Sequence, residues 1–288
     1  MIDIIQKVEN RLSISINYKK YLLIGNAFDK KTLFLYKNGV KRPYLVVRIP
    51  NSLEAEQRCK NEYNNLLYIN NTNISNVIAS KPLGVISYGG YKCYLQQTLF
   101  SKQMQKSLRT ILKIPRKSDF NVVVRHLSTI YKETKDKNTL KDKTYSYCFQ
   151  HGDFWIGNLG FINKSLVLYD LEFANKEGYP LYDLLHFALH YHVVLNNIGK
   201  LGKNIRDGSH TKKVDNRVFE SIEKSFITHL NEGGRFTRLL KNAINSYTTL
   251  CKIEEKDTKL LIKNYFEKYR KIKDFNNNWE NEVFKKIL

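Results

Sequence analysis

The chain has 288 residues, with 48 Lys and Arg against 27 Asp and Glu for a net charge of +21, and a hydrophobic share of 42%. This length and apolar content support a substantial core and exclude global disorder. No apolar run approaches the roughly 18 residues of a membrane-spanning helix, and the start, Met1-Ile2-Asp3-Ile4-Ile5-Gln6-Lys7, has no signal-peptide pattern, so a cytoplasmic protein is expected.

The N-terminal part is strand-rich. Tyr21–Ile24 and Thr32–Tyr36 flank Gly25-Asn26-Ala27-Phe28-Asp29, and Asn38-Gly39 marks a turn before Tyr44–Ile49, so three antiparallel strands are expected. Ser52-Leu53-Glu54-Ala55 opens a helix to about Tyr68, and Gly84–Tyr88 and Lys92–Gln97 form two more strands around Gly89-Gly90. After Leu99 the character changes to Lys-rich helical patterns over roughly 101–113, 120–135, 181–197, 214–231 and 236–272, with strand and loop only around 145–172. Residues 136–143 and 199–209 read as exposed loops. The predicted fold is α+β in two lobes. Residues 1–98 form a small antiparallel-sheet lobe carrying one helix; residues 99–288 form a larger, mainly helical lobe that holds the chemistry.

The four cysteines, Cys59, Cys93, Cys148 and Cys251, are scattered with no Cys-x-x-Cys pair, which points to buried free thiols rather than zinc or disulfides. A charge of +21 suits nucleic acid, an anionic membrane or glycan surface, or an anionic substrate. No nucleic-acid motif accompanies it, so the expectation is a solvated basic surface with peripheral contact to an anionic membrane or glycan, and no nucleic-acid role.

The chemistry concentrates in His151-Gly152-Asp153-Phe154-Trp155-Ile156-Gly157-Asn158 and in the apolar run Leu166–Tyr169 that ends on Asp170. Phosphoryl transfer needs a carboxylate to orient the attacking hydroxyl, then an amide and a second carboxylate to hold Mg²⁺ on nucleotide phosphates. Asp153 fits the base, and Asn158 and Asp170 fit the metal ligands. His151 reads as shaping the loop. Glu172 is either a further metal or substrate contact or a salt-bridged residue. Asp183 either holds the loop backbone or simply starts a helix. Gly25 and Asn26 sit where backbone amides can cover phosphates. Arg48 is a lone charge in an apolar strand and needs a partner or an anion. Glu62 on the next helix is its natural partner; the alternative is an Arg that snorkels from an edge strand.

Residues Tyr147 to Phe187 resemble the aminoglycoside phosphotransferase and choline kinase family of small-molecule kinases with a protein-kinase-like fold. The likeness rests on His151-Gly152-Asp153, Asn158, the strand ending in Asp170 with Leu171-Glu172 behind it, and Gly178-Tyr179-Pro180-Leu181-Tyr182-Asp183-Leu184. The resemblance implies Asp153 as base, Asn158 and Asp170 as Mg²⁺ ligands, Arg48 in place of the usual phosphate-binding Lys with Glu62 as its partner, and Gln97 to Leu99 as the hinge holding the adenine of ATP. Arg for Lys keeps the charge but changes its geometry, and the phosphate loop is only weakly Gly-rich. The expected reaction transfers the γ-phosphate of Mg-ATP to a hydroxyl of a small molecule. A basic chain favours a neutral or anionic acceptor, such as a sugar or a glycan- or lipid-linked group. The alternatives are an aminoglycoside or choline/ethanolamine-type acceptor, or a non-catalytic nucleotide-binding module.

Overall fold

The computed structural model describes residues 2–25, 29–103, 116–136, 140–191 and 234–273. In chain order the elements begin with α1 (Ile2–Leu12), β1 (Ile16–Gly25), β2 (Lys30–Lys37), β3 (Leu45–Pro50), α2 (Leu53–Thr72), β4 (Val77–Ala79), β5 (Pro82–Tyr88), β6 (Tyr91–Gln97) and β7 (Lys102–Gln103). They continue with α3 (Lys117–Thr134), β8 (Cys148–Gln150), β9 (Leu159–Ile162), β10 (Ser165–Leu168), a 3₁₀ turn (Leu171–Phe173), β11 (Asn175–Gly178), helix α4 over 182–191, α5 (Arg235–Cys251) and α6 (Glu255–Lys273). The described residues form two compact units, one running to Lys102 and including Gly160–Asn175, the other comprising the rest. The architecture is α+β.

In the first unit a five-stranded antiparallel sheet has the order β1-β2-β3-β6-β5. Side chains alternate across a strand, and here the two faces differ sharply. Leu33, Leu35, Leu45, Val47, Ile49, Cys93 and Leu95 pack with Ile4, Ile5 and Val8 of α1 in one apolar cluster. Register places Thr32 opposite Arg48 and Arg48 opposite Tyr94, so the other face carries Lys30, Thr32, Arg48 and Gln96. Gly89 and Gly90, at φ 61° and 83°, make the two-residue β5–β6 turn, a geometry in which both residues need positive φ. Helix α2 starts on Ser52, whose Oγ accepts from the Ala55 amide at 3.2 Å, and stops at Asn73, at φ 51°.

Three expectations are corrected. The first unit carries two helices, because Ile4, Ile5 and Val8 give α1 an apolar face that closes the sheet's core. The pattern over 236–272 is two helices rather than one: Lys252, at φ 59°, ends α5 with its amide on the Thr248 and Thr249 carbonyls. Residues 160–175 fall in the sheet unit and not with the helices, because β10 pairs in parallel with β4, Leu166 beside Val77 and Leu168 beside Ala79. The pattern at 120–135 forms as α3 and that at 181–197 as α4 through residue 191. The pattern at 214–231, most of 101–113 and the loop at 199–209 lie outside the described residues.

In the second unit α3, α4 and α5 share an aromatic core. The Phe120 ring lies 5.8 Å from Phe187, 5.5 Å from Tyr191 and 6.1 Å from Phe236. The start of α6 is fixed by Asp257, 1% exposed, which accepts from the Thr144 amide at 2.6 Å and the Thr144 hydroxyl at 2.7 Å. Among the described residues no helix is long and apolar enough to cross a membrane. All four cysteines are free and buried.

Candidate functional site

The polar face of the five-stranded sheet borders a cavity of about 370 Å³ lined by Lys30, Arg48, Glu62, Ser80, Gln96 and Asp170 among others. Arg48 stands on the central strand β3, not an edge, so it does not snorkel. Its Nη2 donates to Glu62 Oε1 at 2.9 Å and its Nη1 to Thr32 Oγ1 at 2.9 Å. Gln96 Nε2 reaches the same Glu62 oxygen at 3.5 Å. Glu62 is 2% exposed, and its Oε2, like Arg48 Nε, is buried with no hydrogen-bond partner.

Asp170 enters this cavity from the end of β10, in the left-handed region at φ 58°, ψ 64°. Such a backbone is costly for most side chains and easiest for Asn and Asp. The turn behind it is held by Asn65 of α2, buried, whose Nδ2 donates to the Leu171 carbonyl at 2.9 Å and the Ala174 carbonyl at 3.0 Å. Burial pushes the Asp170 carboxyl up to about 6; Glu62 and Glu172 push the same way, while Lys30 and Arg48 oppose. Glu172 is salt-bridged: Lys30 Nζ donates to its Oε2 at 2.5 Å and lies 3.8 Å from Asp170 Oδ1.

The second unit holds the Asp153 loop. Asp183, buried on α4, accepts from the His151 amide at 2.7 Å and the Gly152 amide at 3.0 Å, so it does hold the loop backbone. Burial raises its carboxyl, partly countered by His151 and these two amides. His151 Nδ1 accepts from the Asp153 amide at 3.3 Å. Asn158 Nδ2 donates to the Asp153 carbonyl at 3.1 Å and to Asp153 Oδ2 at 2.9 Å. His186 Nε2 meets Asp153 Oδ1 at 3.2 Å. Burial opposes ionisation of Asp153, but the hydrogen bond and charge of His186, with His151 and His190 adding, outweigh it and hold the carboxyl below its ordinary value.

The structure thus brings together Arg48, Glu62 and Asp170 in the first unit, and Asp153 and Asn158 in the second. Gly25 ends β1, and Asn26 lies outside the described residues. The Gln97 amide is committed to the Lys81 carbonyl at 2.8 Å, and Gln96, not Gln97, lines the cavity. The Leu99 carbonyl faces the Tyr169 hydroxyl at 3.5 Å. Sequence reasoning missed Lys30, Asn65 and His186. Lys30 was legible in principle: Lys30 and Thr32 alternate with Leu33 and Leu35, which puts that lysine on the polar face.

No protein-family model matches this chain, and no curated protein matches it. Among solved structures, the chain is similar to the GDP and kanamycin complex of APH(2")-IIIa, at 13% identity over 87% of this chain and 98% of that one, with a TM-score of 0.48. It is similar to the GDP complex of wild-type aminoglycoside 2'-phosphotransferase-IIIa, at 12% identity over 87% and 98%, with a TM-score of 0.47. A thermostable mutant of aminoglycoside phosphotransferase APH(4)-Ia, in ternary complex with ADP and hygromycin B, is 9% identical over 86% and 95%, with a TM-score of 0.43. At such identities and scores the likeness assigns neither a substrate nor a residue's role.

Proposed function

We propose that this chain is a small-molecule kinase that transfers the γ-phosphoryl group of Mg-ATP to an acceptor hydroxyl. The observation that carries the reading is the double donation of Asn158 Nδ2 to the carbonyl and the carboxylate of Asp153. It fixes the amide so that Asn158 Oδ1, a hard neutral oxygen, is left as the free ligand atom, and it steers the base. Asp153, held ionised by His186, orients the acceptor hydroxyl and takes its proton as the oxygen bonds to phosphorus; ADP leaves with the pair of electrons from the broken P–O bond.

The residues fit a Mg²⁺ ion. Asp170 Oδ1 is buried without a hydrogen-bond partner, and the carboxylates Glu62, Asp170 and Glu172 outnumber the cations Lys30 and Arg48 by one charge. Asp170 and Asn158 would hold the metal, which when bound neutralises phosphate charge. Gly25-Asn26 would cover the phosphates and the chain at Leu99 would serve the adenine, the Gln97 amide being committed to the Lys81 carbonyl; the Arg48–Glu62 pair borders the phosphate position. We assign a cytoplasmic location, where ATP is supplied, and a neutral or anionic acceptor, since a chain of charge +21 repels a polycation. Aminoglycosides, two of which occur in the similar structures as kanamycin and hygromycin B, and choline-type alcohols are the acceptors to test against it.

The deciding experiment is thermal unfolding with Mg-ATP and Mg-GTP on the native protein and Asp170→Ala. A ligand at about 100 times its dissociation constant adds roughly 2.7 kcal/mol of stability. A Mg²⁺-dependent rise lost in Asp170→Ala is expected; no rise with either nucleotide sinks the kinase reading. A rise without phosphate transfer to any sugar, glycan, aminoglycoside or choline acceptor would favour a nucleotide-binding module.

A further inference from the structure

Lys30 is the second cation of the cavity and has no part in the scheme above. Burying an ammonium is expensive unless it is paired, yet Lys30, the first residue of β2, is 5% exposed. One of its three donors is spent on Glu172, and among the described residues no other hydrogen bond to its Nζ is formed. Its Nζ sits 3.8 Å from Asp170 Oδ1, beside the carboxylate assigned to the metal. Arg48 donates from Nη1 to Thr32 of β2 and from Nη2 to Glu62 of α2, so the guanidinium ties the helix to the sheet. The Lys30 ammonium instead lies beside Asp170, and its two remaining donors can take an anion there.

Resting on the kinase reading above, we propose that Lys30 of β2 is the phosphate-contacting cation of the nucleotide site, that Arg48–Glu62 is chiefly a structural strut, and that Glu172 keeps Lys30 aimed into the cavity. The placement of Glu172 two residues beyond Asp170 ties the phosphate contact to the metal ligand through one short turn, itself fixed by Asn65. The contact therefore comes from the strand next to the one on which the resemblance expects it.

The test compares affinities for Mg-ATP and for adenosine, which lacks phosphates, in the native protein, Lys30→Arg and the paired Lys30→Met/Glu172→Gln. The paired change removes both charges, so no buried carboxylate is stranded, and unliganded thermal unfolding checks its fold. The paired variant is expected to weaken Mg-ATP about 10- to 100-fold, the worth of a charge-assisted hydrogen bond, with adenosine unchanged. Lys30→Arg is expected to keep most of the ATP affinity. Native-like ATP affinity in the paired variant, within about twofold, overturns the Lys30 assignment alone; so does an equal loss for ATP and adenosine. Absence of ATP binding by the native protein overturns this assignment together with the kinase reading.

Discussion

Asp153 has both carboxylate oxygens engaged by the protein's own groups, Oδ1 by His186 and Oδ2 by Asn158. Its role is thus to be held at one angle and kept ionised, and Asp153→Asn is expected to lower the transfer rate about 10²- to 10⁴-fold. The thermal shift from Mg-nucleotide should survive that change, which separates it from Asp170→Ala. Asp170 carries a pH signature of its own. With its carboxyl raised to about 6, it takes up a proton as pH falls through that value, and Mg-nucleotide affinity measured by calorimetry should drop there. The effect on the unliganded fold has the opposite sign. A carboxyl raised above its unfolded 3.8 contributes stability that is fully present below 3.8 and lost as pH rises through about 6.

At the scale of elements, two ties invite measurement. Asn65→Ala removes both bonds that clamp the turn after Asp170. It should cost about 1–3 kcal/mol in denaturant unfolding and weaken Mg-nucleotide binding although Asn65 does not itself line the cavity. Asp257 anchors α6 to Thr144, with Lys143 at 3.8 Å. Burial disfavours its charge, but the Thr144 bonds and Lys143 prevail and depress its carboxyl below 3.8. Its stabilisation is present above 3.8 and lost as pH falls through the lower folded value, so Asp257→Asn should unfold more easily at neutral pH and differ less from native protein in acid. These elements also show what a sequence reveals. The Asp153-to-Asn158 spacing, the Arg48–Glu62 pair and the hairpin glycines are legible because each depends on neighbours in sequence or on a charge in an apolar strand. Lys30 is easily passed over beside Lys31, although its alternation with Leu33 and Leu35 places it on the polar face. The break at Lys252 was hidden because no Gly or Pro marks it, and the place of residues 160–175 because it hangs on a pairing with β4, remote in the chain.

For the molecule as a whole, charge is the dominant fact. A chain of +21 should gather at anionic surfaces whatever its substrate. Co-sedimentation with phosphatidylserine-containing vesicles is expected at low salt and release at high salt, with no binding to neutral vesicles; salt-independent binding would point to apolar contact instead. The remaining consequence concerns the order in which the protein is made. Domains fold as the ribosome delivers them, N-terminal parts first. The strands from Ile16 to Gln97 are all available early, but β4 must wait for Leu166–Leu168, and the cavity lacks Asp170 and Glu172 until those residues emerge. A nascent chain stalled shortly after Gln97 would therefore show a protease-resistant sheet with no capacity to retain nucleotide, and that capacity would appear only once the chain has passed Glu172.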